Sequence, residues 1–316
     1  MNIYLEDDCK MKPTYSRSTV MLIYVLLSSI SLITVALNLL VIISISHFRQ
    51  LHTPTNLLLL SLAVSDLLVG LLLMPVEIIY IEACWFLGNI LCTLYYIIDY
   101  IITSASVANM VLIALDRYLA ICDPLLYPNK VTKSTAQICV SLCWIASVFY
   151  RLLLLQDHLV KPGASISCFG ECVVVISNIA GTIDMIFTFI MPITVIICLY
   201  FKVFLVALSQ ARMLRSQITA AAAKPAKKSE RKAAMALGVV VTVFIFNLSP
   251  FFYSTFAGLN FSYNEFLSNF GIWLFYFNSC LNPLIYAFFY PWFRKCLKLI
   301  LTLQILQPAS CDINIQ

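Results

Sequence analysis

Charged residues are scarce in this chain of 316 residues. Lys, Arg, Asp and Glu make up 11% of it, whereas hydrophobic residues make up 61%. Because soluble domains carry roughly a quarter charged residues, this composition excludes an ordinary soluble domain. Seven apolar runs reach the length of about 20 residues that spans a bilayer. They predict an all-α integral membrane protein, a seven-transmembrane helix bundle, with spans near 20–46, 55–80, 89–121, 136–156, 173–206, 232–257 and 266–290.

The N-terminus lacks the pattern of a cleavable signal peptide. The first twenty residues are polar and acidic, and the first apolar run already has spanning length. Lys and Arg collect in the loops of one side, so the positive-inside bias predicts an N-terminus outside the cell. The predicted parts are an extracellular N-terminus over 1–19, a seven-transmembrane domain over 20–290, and a cytoplasmic amphipathic helix and tail over 291–316. The net charge of +5 then reflects topology and contact with anionic membrane lipid, not nucleic acid.

Metal-binding and catalytic patterns are missing as well. The three histidines are scattered, no Cys-x-x-Cys pair occurs, and no Ser/His or His/Glu arrangement lies inside the spans. An intramembrane enzyme would need such groups, and a cation-coupled transporter would show repeated halves and broken helices. Neither class is favoured. Four of the twelve cysteines, Cys9, Cys92, Cys168 and Cys172, lie in or beside the oxidising compartment, where sequence alone allows three disulfide pairings.

Two aspartates interrupt apolar runs that otherwise suit a bilayer. Asp99 lies within Tyr95-Tyr-Ile-Ile-Asp-Tyr, and Asp184 lies within Gly181-Thr-Ile-Asp-Met. A carboxylate at membrane depth is costly and usually marks a functional site. The functional interpretation is a pair of anionic anchors for a cationic ligand. The structural alternative is that each aspartate is protonated, or is bound by a neighbouring hydroxyl.

Short motifs along the spans resemble the rhodopsin-like G-protein-coupled receptors. They are Asn38, Leu62-Ala-Val-Ser-Asp66, Cys92, Asp116-Arg-Tyr118, Trp144, Pro192, Tyr200, Pro250 and Asn282-Pro-Leu-Ile-Tyr286. The strings Asn278–Phe293 and Met74–Gly88 are similar to the trace amine-associated receptors in particular. This resemblance implies a receptor that is not an enzyme, in the plasma membrane of olfactory sensory neuron cilia. It implies a small amine ligand and a heterotrimeric G protein of the stimulatory class as partners, with arrestin and a receptor kinase as further partners.

The resemblance assigns a ligand site. Asp99 follows Cys92 by two helical turns, roughly 10 Å inward, and matches the aspartate that binds protonated amines in aminergic receptors. Tyr276 matches the tyrosine that accompanies it. Asp184, eight residues before Pro192, matches the opposite wall of the same cavity, where two carboxylates repel each other unless a cation intervenes.

A linear diamine such as cadaverine or putrescine is therefore the predicted ligand, and relatives with both aspartates look like diamine receptors. The alternative is a monoamine or tertiary amine that uses Asp99 alone. Glu77 is either a third carboxylate near the amine or the partner of Arg151 in a salt bridge. The remaining lining is predicted to come from Tyr96, Tyr100, Thr103, Thr188, Phe251, Phe252, Tyr253 and Trp273.

Two further polar sets are predicted deeper in the bundle. Oxygens of Asp66, Ser106, Asn278 and Asn282 suit a sodium ion, or they form a polar packing network between helices. At the inner end, an Arg117 to Glu230 ion pair resembles the family's inactive-state lock, and the alternative is a solvated charged rim. The coupling set implied by the resemblance is Asp116, Arg117, Tyr118, Glu230, Tyr200, Asn282, Pro283 and Tyr286.

The resemblance also implies two disulfides, Cys92 with Cys172 and Cys9 with Cys168. Asn260 begins an Asn-Phe-Ser acceptor for glycosylation on an outer loop. Leu248 stands where most relatives carry a tryptophan that relays ligand binding, and this departure predicts a different activation step.

Overall fold

The computed structural model describes residues 16–80, 85, 87–156, 172, 177–216, 265–308 and 310–315. The helices in this part are α1 Arg17–His47, α2 Pro54–Leu68, α3 Met74–Tyr80, α4 Gly88–Cys122, α5 Tyr127–Lys130, α6 Lys133–Leu154, α7 Asn178–Met185, α8 Met191–Ser216, α9 Glu265–Phe289 and α10 Pro291–Leu301. Short 3₁₀ turns cover Arg49–Leu51, Gln304–Leu306 and Ser310–Asp312. The predicted sixth span, 232–257, lies outside the described residues.

Within the described residues, five helical segments are long and apolar enough to cross a membrane. They are Arg17–His47, Pro54–Ile79, Gly88–Cys122, Lys133–Leu154 and Ile179–Val206. A sixth candidate, Gly271–Ala287, is followed by α10 at a bend of 96°. Leu22 and Leu32 on α1 are 69% and 70% exposed, which suits a surface that faces lipid. The prediction of a seven-transmembrane helical bundle is confirmed at the level of fold class.

Side-chain caps begin several of these helices. Ser16, Thr53, Thr132 and Ser177 each accept a hydrogen bond from a backbone N–H in the first turn that follows. Thr53 is followed by Pro54, whose missing N–H costs nothing at a helix start. The caps satisfy donors that a helix cannot satisfy internally, so they fix where each helix begins.

Two spans contain a π-helical turn. Val69–Leu73 joins α2 to α3, and Ile186–Ile190 joins α7 to α8. Such turns insert an extra residue and are frequent near functional sites. The second begins two residues after Asp184, and the Thr188 hydroxyl within it donates to the Asp184 carbonyl at 2.6 Å. The backbone beside Asp184 therefore departs from a regular helix.

The π-helical turn Val69–Leu73 lies where α1 and the second span approach closely. Ser31 Oγ donates to the Gly70 carbonyl at 2.8 Å, and a Cβ atom placed on Gly70 would lie 3.0 Å from Thr34 Cγ2. Asn38 Nδ2 donates to the Ser279 carbonyl at 3.0 Å and so ties α1 to α9. These contacts hold the helices around the polar interior.

The segment after α10 folds back under the end of α1. Ile315 is buried with Phe48, Leu51 and Cys296, and its backbone N–H donates to Gln50 Oε1 at 3.1 Å. The tail thus packs against the end of α1 and against α10. On α10 the buried Phe293 and Cys296 alternate with the exposed, charged residues between them, so this helix is amphipathic.

Replacing Ile315 by Asp should open this cluster and expose Cys296. Burial raises the pKa of the Cys296 thiol to about 11, so the thiol reacts slowly with alkylating reagents while it is covered. Labelling of Cys296, quantified by peptide mass spectrometry, should rise several-fold in Ile315→Asp. Ile313→Asp is the matched control, since Ile313 is 36% exposed. Equal labelling in both variants would contradict the packed tail.

Candidate functional site

Asp99 lies on α4 at the centre of the predicted ligand site. The Tyr276 hydroxyl on α9 donates to Asp99 Oδ1 at 3.2 Å, and the Thr103 hydroxyl, one turn further along α4, lies beside the same carboxylate. Tyr276 is 3% exposed, and its ring meets Trp273 edge to face at 6.3 Å between centroids. The structure therefore brings together four predicted site residues, a carboxylate with a rigid hydroxyl donor and aromatic faces that suit an ammonium group.

A second carboxylate is linked to Asp99 through two tyrosines. Tyr95 donates from its hydroxyl to Glu77 Oε1 at 2.7 Å, and the Tyr95 and Tyr276 hydroxyl oxygens lie 3.5 Å apart. Glu77 and Asp99 thus belong to one hydrogen-bonded chain across three helices. Of the two roles considered for Glu77, the salt bridge with Arg151 does not occur among the described residues, where the Arg151 guanidinium contacts Asp184 instead.

Asp184 is paired within the protein. Arg151 Nη1 on α6 lies 2.6 Å from Asp184 Oδ1, and the Tyr150 hydroxyl donates to the same oxygen at 3.2 Å. Arg151 Nε donates to Ser104 Oγ at 2.8 Å. Arg151 thus supplies a cation to one of the two predicted anionic anchors.

The other predicted lining residues are placed as follows. The Tyr96 hydroxyl donates to the Cys172 carbonyl at 3.0 Å, and Tyr100 lies under the Arg151 guanidinium, 4.9 Å from its ring centroid. The Cys92–Cys172 disulfide is confirmed and joins Cys172 to α4. Phe251, Phe252, Tyr253, Cys9, Cys168, Asn260 and Leu248 lie outside the described residues.

The predicted sodium residues Asp66, Ser106, Asn278 and Asn282 are all buried in the bundle. Asn282 Nδ2 donates to Asp66 Oδ2 at 2.8 Å. Within the described part of the chain, Asp66 Oδ1 and the side-chain oxygens of Asn278 and Asn282 accept no hydrogen bond. Ser106 is buried on α4. Buried oxygens without donors fit a small hard cation, which prefers oxygen ligands.

At the inner end of α4, Asp116 gathers donors from three segments. Arg117 Nε donates to Asp116 Oδ2 at 2.9 Å, and Arg117 Nη2 contacts both Asp116 and the Thr55 hydroxyl. Thr55 Oγ1 donates to Asp116 Oδ2 at 2.9 Å, and the Tyr127 hydroxyl donates to Asp116 Oδ1 at 2.8 Å. The predicted partner Glu230 lies outside the described residues, so the Arg117 to Glu230 pair stays a prediction.

The remaining coupling residues lie near this network. Tyr286 and Tyr290 are buried with ring centroids 6.0 Å apart. Tyr200 packs against the same core, and Lys202 Nζ lies 5.8 Å from the Tyr118 ring centroid. Pro283 lies inside α9, where it removes one helical hydrogen bond.

Several residues of these networks are absent from the predicted sets. Tyr95, Tyr150 and Ser104 bind the pocket charges, and Thr55 and Tyr127 bind Asp116. One signal was available for Tyr95, which precedes Asp99 by four residues and therefore shares its helix face. Thr55 and Tyr127 come from other segments, and no spacing along the chain connects them with Asp116.

Comparisons with known proteins identify the family of this chain. Residues 37–286 match the family described as 7 transmembrane receptor (rhodopsin family). The chain is 39% identical to trace amine-associated receptor 13c of Danio rerio, over 96% of this chain and 93% of that protein. It is 38% identical to trace amine-associated receptor 7c of Rattus norvegicus, over 98% of this chain and 90% of that protein. The chain therefore belongs to the rhodopsin family of seven-transmembrane receptors and, within it, to the trace amine-associated receptors.

Proposed function

We propose that this G-protein-coupled receptor is activated by a protonated amine whose ammonium group binds Asp99. The observation that carries the proposal is the Tyr276 hydroxyl, 3.2 Å from Asp99 Oδ1. Asp99 is partly buried, so an ammonium that replaces water there meets a carboxylate at low local dielectric. The Tyr276 hydroxyl fixes one lone-pair direction of that carboxylate.

The signal then passes to a heterotrimeric G protein at the inner end of α4. Arg117 lies there, held by Asp116 and Thr55. Release of Arg117 from these partners would be a discrete rearrangement that an agonist could favour. We propose a stimulatory G protein, and the olfactory location likewise stays a proposal that follows from the family resemblance.

The test is an agonist screen in cells that express the chain, with cAMP as readout. Each amine is compared with its neutral isostere, for example pentylamine with 1-pentanol, and each response with that of mock-transfected cells. Amines should activate and the alcohols should not. If no amine raises cAMP in cells with surface receptor, a panel of G-protein dissociation sensors separates a wrong G protein from a wrong ligand class. If no amine gives a response in either the cAMP assay or the G-protein dissociation assay, the proposal is rejected.

A diamine remains the second candidate ligand, and Asp184 is the residue that suggests it. The matching position of Asp184 on the fifth span supports the idea. However, a second ammonium could bind Asp184 only if Arg151, now 2.6 Å away, gave up its place. The contacts of the described residues therefore favour an amine with one ammonium group.

We further propose that a sodium ion binds Asp66 together with Ser106, Asn278 and Asn282. When bound, the ion supplies a positive charge for Asp66 and joins oxygens on α2, α4 and α9. The protein's own contribution is the Asn282 amide, which orients the Asp66 carboxylate at 2.8 Å. The alternative is a polar packing network without an ion.

Replacing Asp66 by Asn should remove a dependence of stability on sodium. A ligand that binds only the folded state stabilises it by about 1.4 kcal/mol when its concentration is tenfold above its dissociation constant. Thermal unfolding of purified receptor should therefore move to a higher temperature in NaCl than in N-methylglucamine chloride at equal ionic strength. Asp66→Asn should abolish this shift, whereas Asp312→Asn, an exposed aspartate, should keep it. An equal shift in both variants would contradict the sodium site.

A further inference from the structure

We propose that Arg151 is a built-in counter-ion of Asp184 and restricts the receptor to amines with a single ammonium group. The inference rests on the proposed function and concerns the end of the ligand that points away from Asp99. It assigns to Arg151 a role in ligand specificity. In this arrangement the Arg151 guanidinium already pairs with Asp184, the carboxylate that a second ammonium group would bind.

The Arg151 guanidinium is held on several sides. Its Nη1 contacts Asp184 at 2.6 Å and its Nε donates to Ser104 Oγ at 2.8 Å. The guanidinium carbon lies 4.9 Å from the Tyr100 ring centroid and 5.1 Å from that of Tyr150. Arg151 is 1% exposed. A planar guanidinium stacked between rings and bound at its edge is pre-organised, so it does not leave its partner easily.

This ion pair borders the amine site. Tyr100 follows Asp99 directly on α4. Ser104 lies one turn after Tyr100, and its Oγ donates to the Tyr100 carbonyl at 2.7 Å. Both residues contact Arg151 from the helix that carries the amine anchor. A ligand bound at Asp99 and extending toward the fifth span therefore approaches the Tyr100 ring and the Arg151 to Asp184 pair.

The positive charge of Arg151 disfavours a second ammonium group near Asp184. An ammonium that reached Asp184 would lie beside a guanidinium of the same sign, and like charges at close range repel strongly in a buried site. Displacing Arg151 would leave a buried guanidinium without its carboxylate, which is more costly than the original pair. A neutral end, aliphatic or aromatic, meets the Tyr100 ring without either cost.

The same geometry predicts opposite changes of ligand preference in two single variants. Arg151→Met removes the cation and leaves Asp184 for a second ammonium, so 1,5-diaminopentane should gain at least about tenfold in potency relative to pentylamine. Asp184→Asn keeps the shape and an acceptor oxygen but removes the negative charge. Arg151 then faces the ligand uncompensated, and 5-aminopentanoate, with an ammonium and a carboxylate, should become an agonist.

The measurement is a concentration–response curve for cAMP with pentylamine, 1,5-diaminopentane and 5-aminopentanoate. Potency ratios are compared at equal surface expression, determined with an N-terminal epitope. Wild type should prefer pentylamine. Arg151→Lys keeps the positive charge and should keep this preference. The exposed pair Arg49 and Asp312, 3.4 Å apart, provides matched controls: Arg49→Met and Asp312→Asn should leave the ratios unchanged.

Three results would overturn the inference. The first is a wild-type receptor that prefers 1,5-diaminopentane to pentylamine. The second is an Arg151→Met variant that reaches the surface with an unchanged ratio. The third is an Asp184→Asn variant without a response to 5-aminopentanoate. If Arg151→Met does not reach the cell surface, the response of the isosteric Asp184→Asn variant to 5-aminopentanoate tests the inference. If the wild-type receptor responds to no amine at all, the proposed function itself is rejected. A receptor that responds to amines with the wrong order of potency rejects only the role of Arg151.

Discussion

Asp99→Asn is expected to lower the potency of amine agonists by at least about 100-fold, which corresponds to about 2.8 kcal/mol. The substitution keeps the size of the side chain and an acceptor for the Tyr276 hydroxyl, 3.2 Å away in the wild type. It removes the negative charge that meets the ammonium group. Loss of one partner from a desolvated charge pair typically costs about 3 to 5 kcal/mol, so the loss should exceed that of a hydrogen bond alone.

The measurement is the cAMP response to the best amine of the screen, normalised to receptor at the cell surface. Asp312→Asn is the matched control, since its carboxylate is exposed and lies far along the chain from Asp99. Tyr276→Phe should give a smaller loss, about tenfold, because it removes one hydrogen bond to a charged group. Equal potency of wild type and Asp99→Asn at equal expression would exclude Asp99 as the amine anchor.

Helix positions were predictable because length and hydropathy dominate in a membrane. The third span was predicted at 89–121 and is found as Gly88–Cys122, and the seventh at 266–290 is found as Glu265–Phe289. The break before α10 coincides with Pro291, whose ring cannot continue the preceding helix. The fifth span begins at Asn178, later than the predicted residue 173, since hydropathy alone does not mark a Ser177 cap.

The proximity of Asp99 and Tyr276 was predictable from family resemblance, because both positions follow from the register of regular helices. The partner of Arg151 was not. Arg151 and Asp184 lie on different spans, 33 residues apart, and the contact depends on how α6 and α7 rotate against each other. From the sequence, Glu77 was considered as the salt-bridge partner of Arg151. Helical spacing gives the face of one helix but not the neighbour that this face meets.

Contacts between segments that are separate along the chain were the least predictable part. Thr55 and Tyr127 lie 61 and 11 residues from Asp116, and neither is marked by periodicity. The tail is a similar case, because Ile315 packs against Phe48 and Leu51 through a fold of the chain that polar, irregular sequence does not specify. Such contacts follow from tertiary packing, which local pattern cannot encode.

Asp116→Asn is expected to raise ligand-independent signalling. Asp116 is 4% exposed and accepts hydrogen bonds from Arg117, Thr55 and Tyr127. This carboxylate therefore joins α4 to α2 and α5 in the resting arrangement. Asparagine offers one acceptor oxygen instead of two and no charge, so the attraction to Arg117 is lost. Hydrogen bonds to charged groups contribute about 1.5 to 3 kcal/mol each.

If the resting state loses only about 1.4 kcal/mol relative to the active state, the active population rises about tenfold while it remains the minor state. G-protein dissociation sensors in cells without agonist should report this rise per surface receptor. Tyr127→Phe removes one donor, whose hydroxyl lies 2.8 Å from Asp116, and should give a smaller rise. Basal signalling of Asp116→Asn at or below the wild-type level, with normal surface expression, would mean that the Asp116 network does not hold the resting state. The Arg117 contacts would then be a packing feature of the inner rim and not a part of the switch.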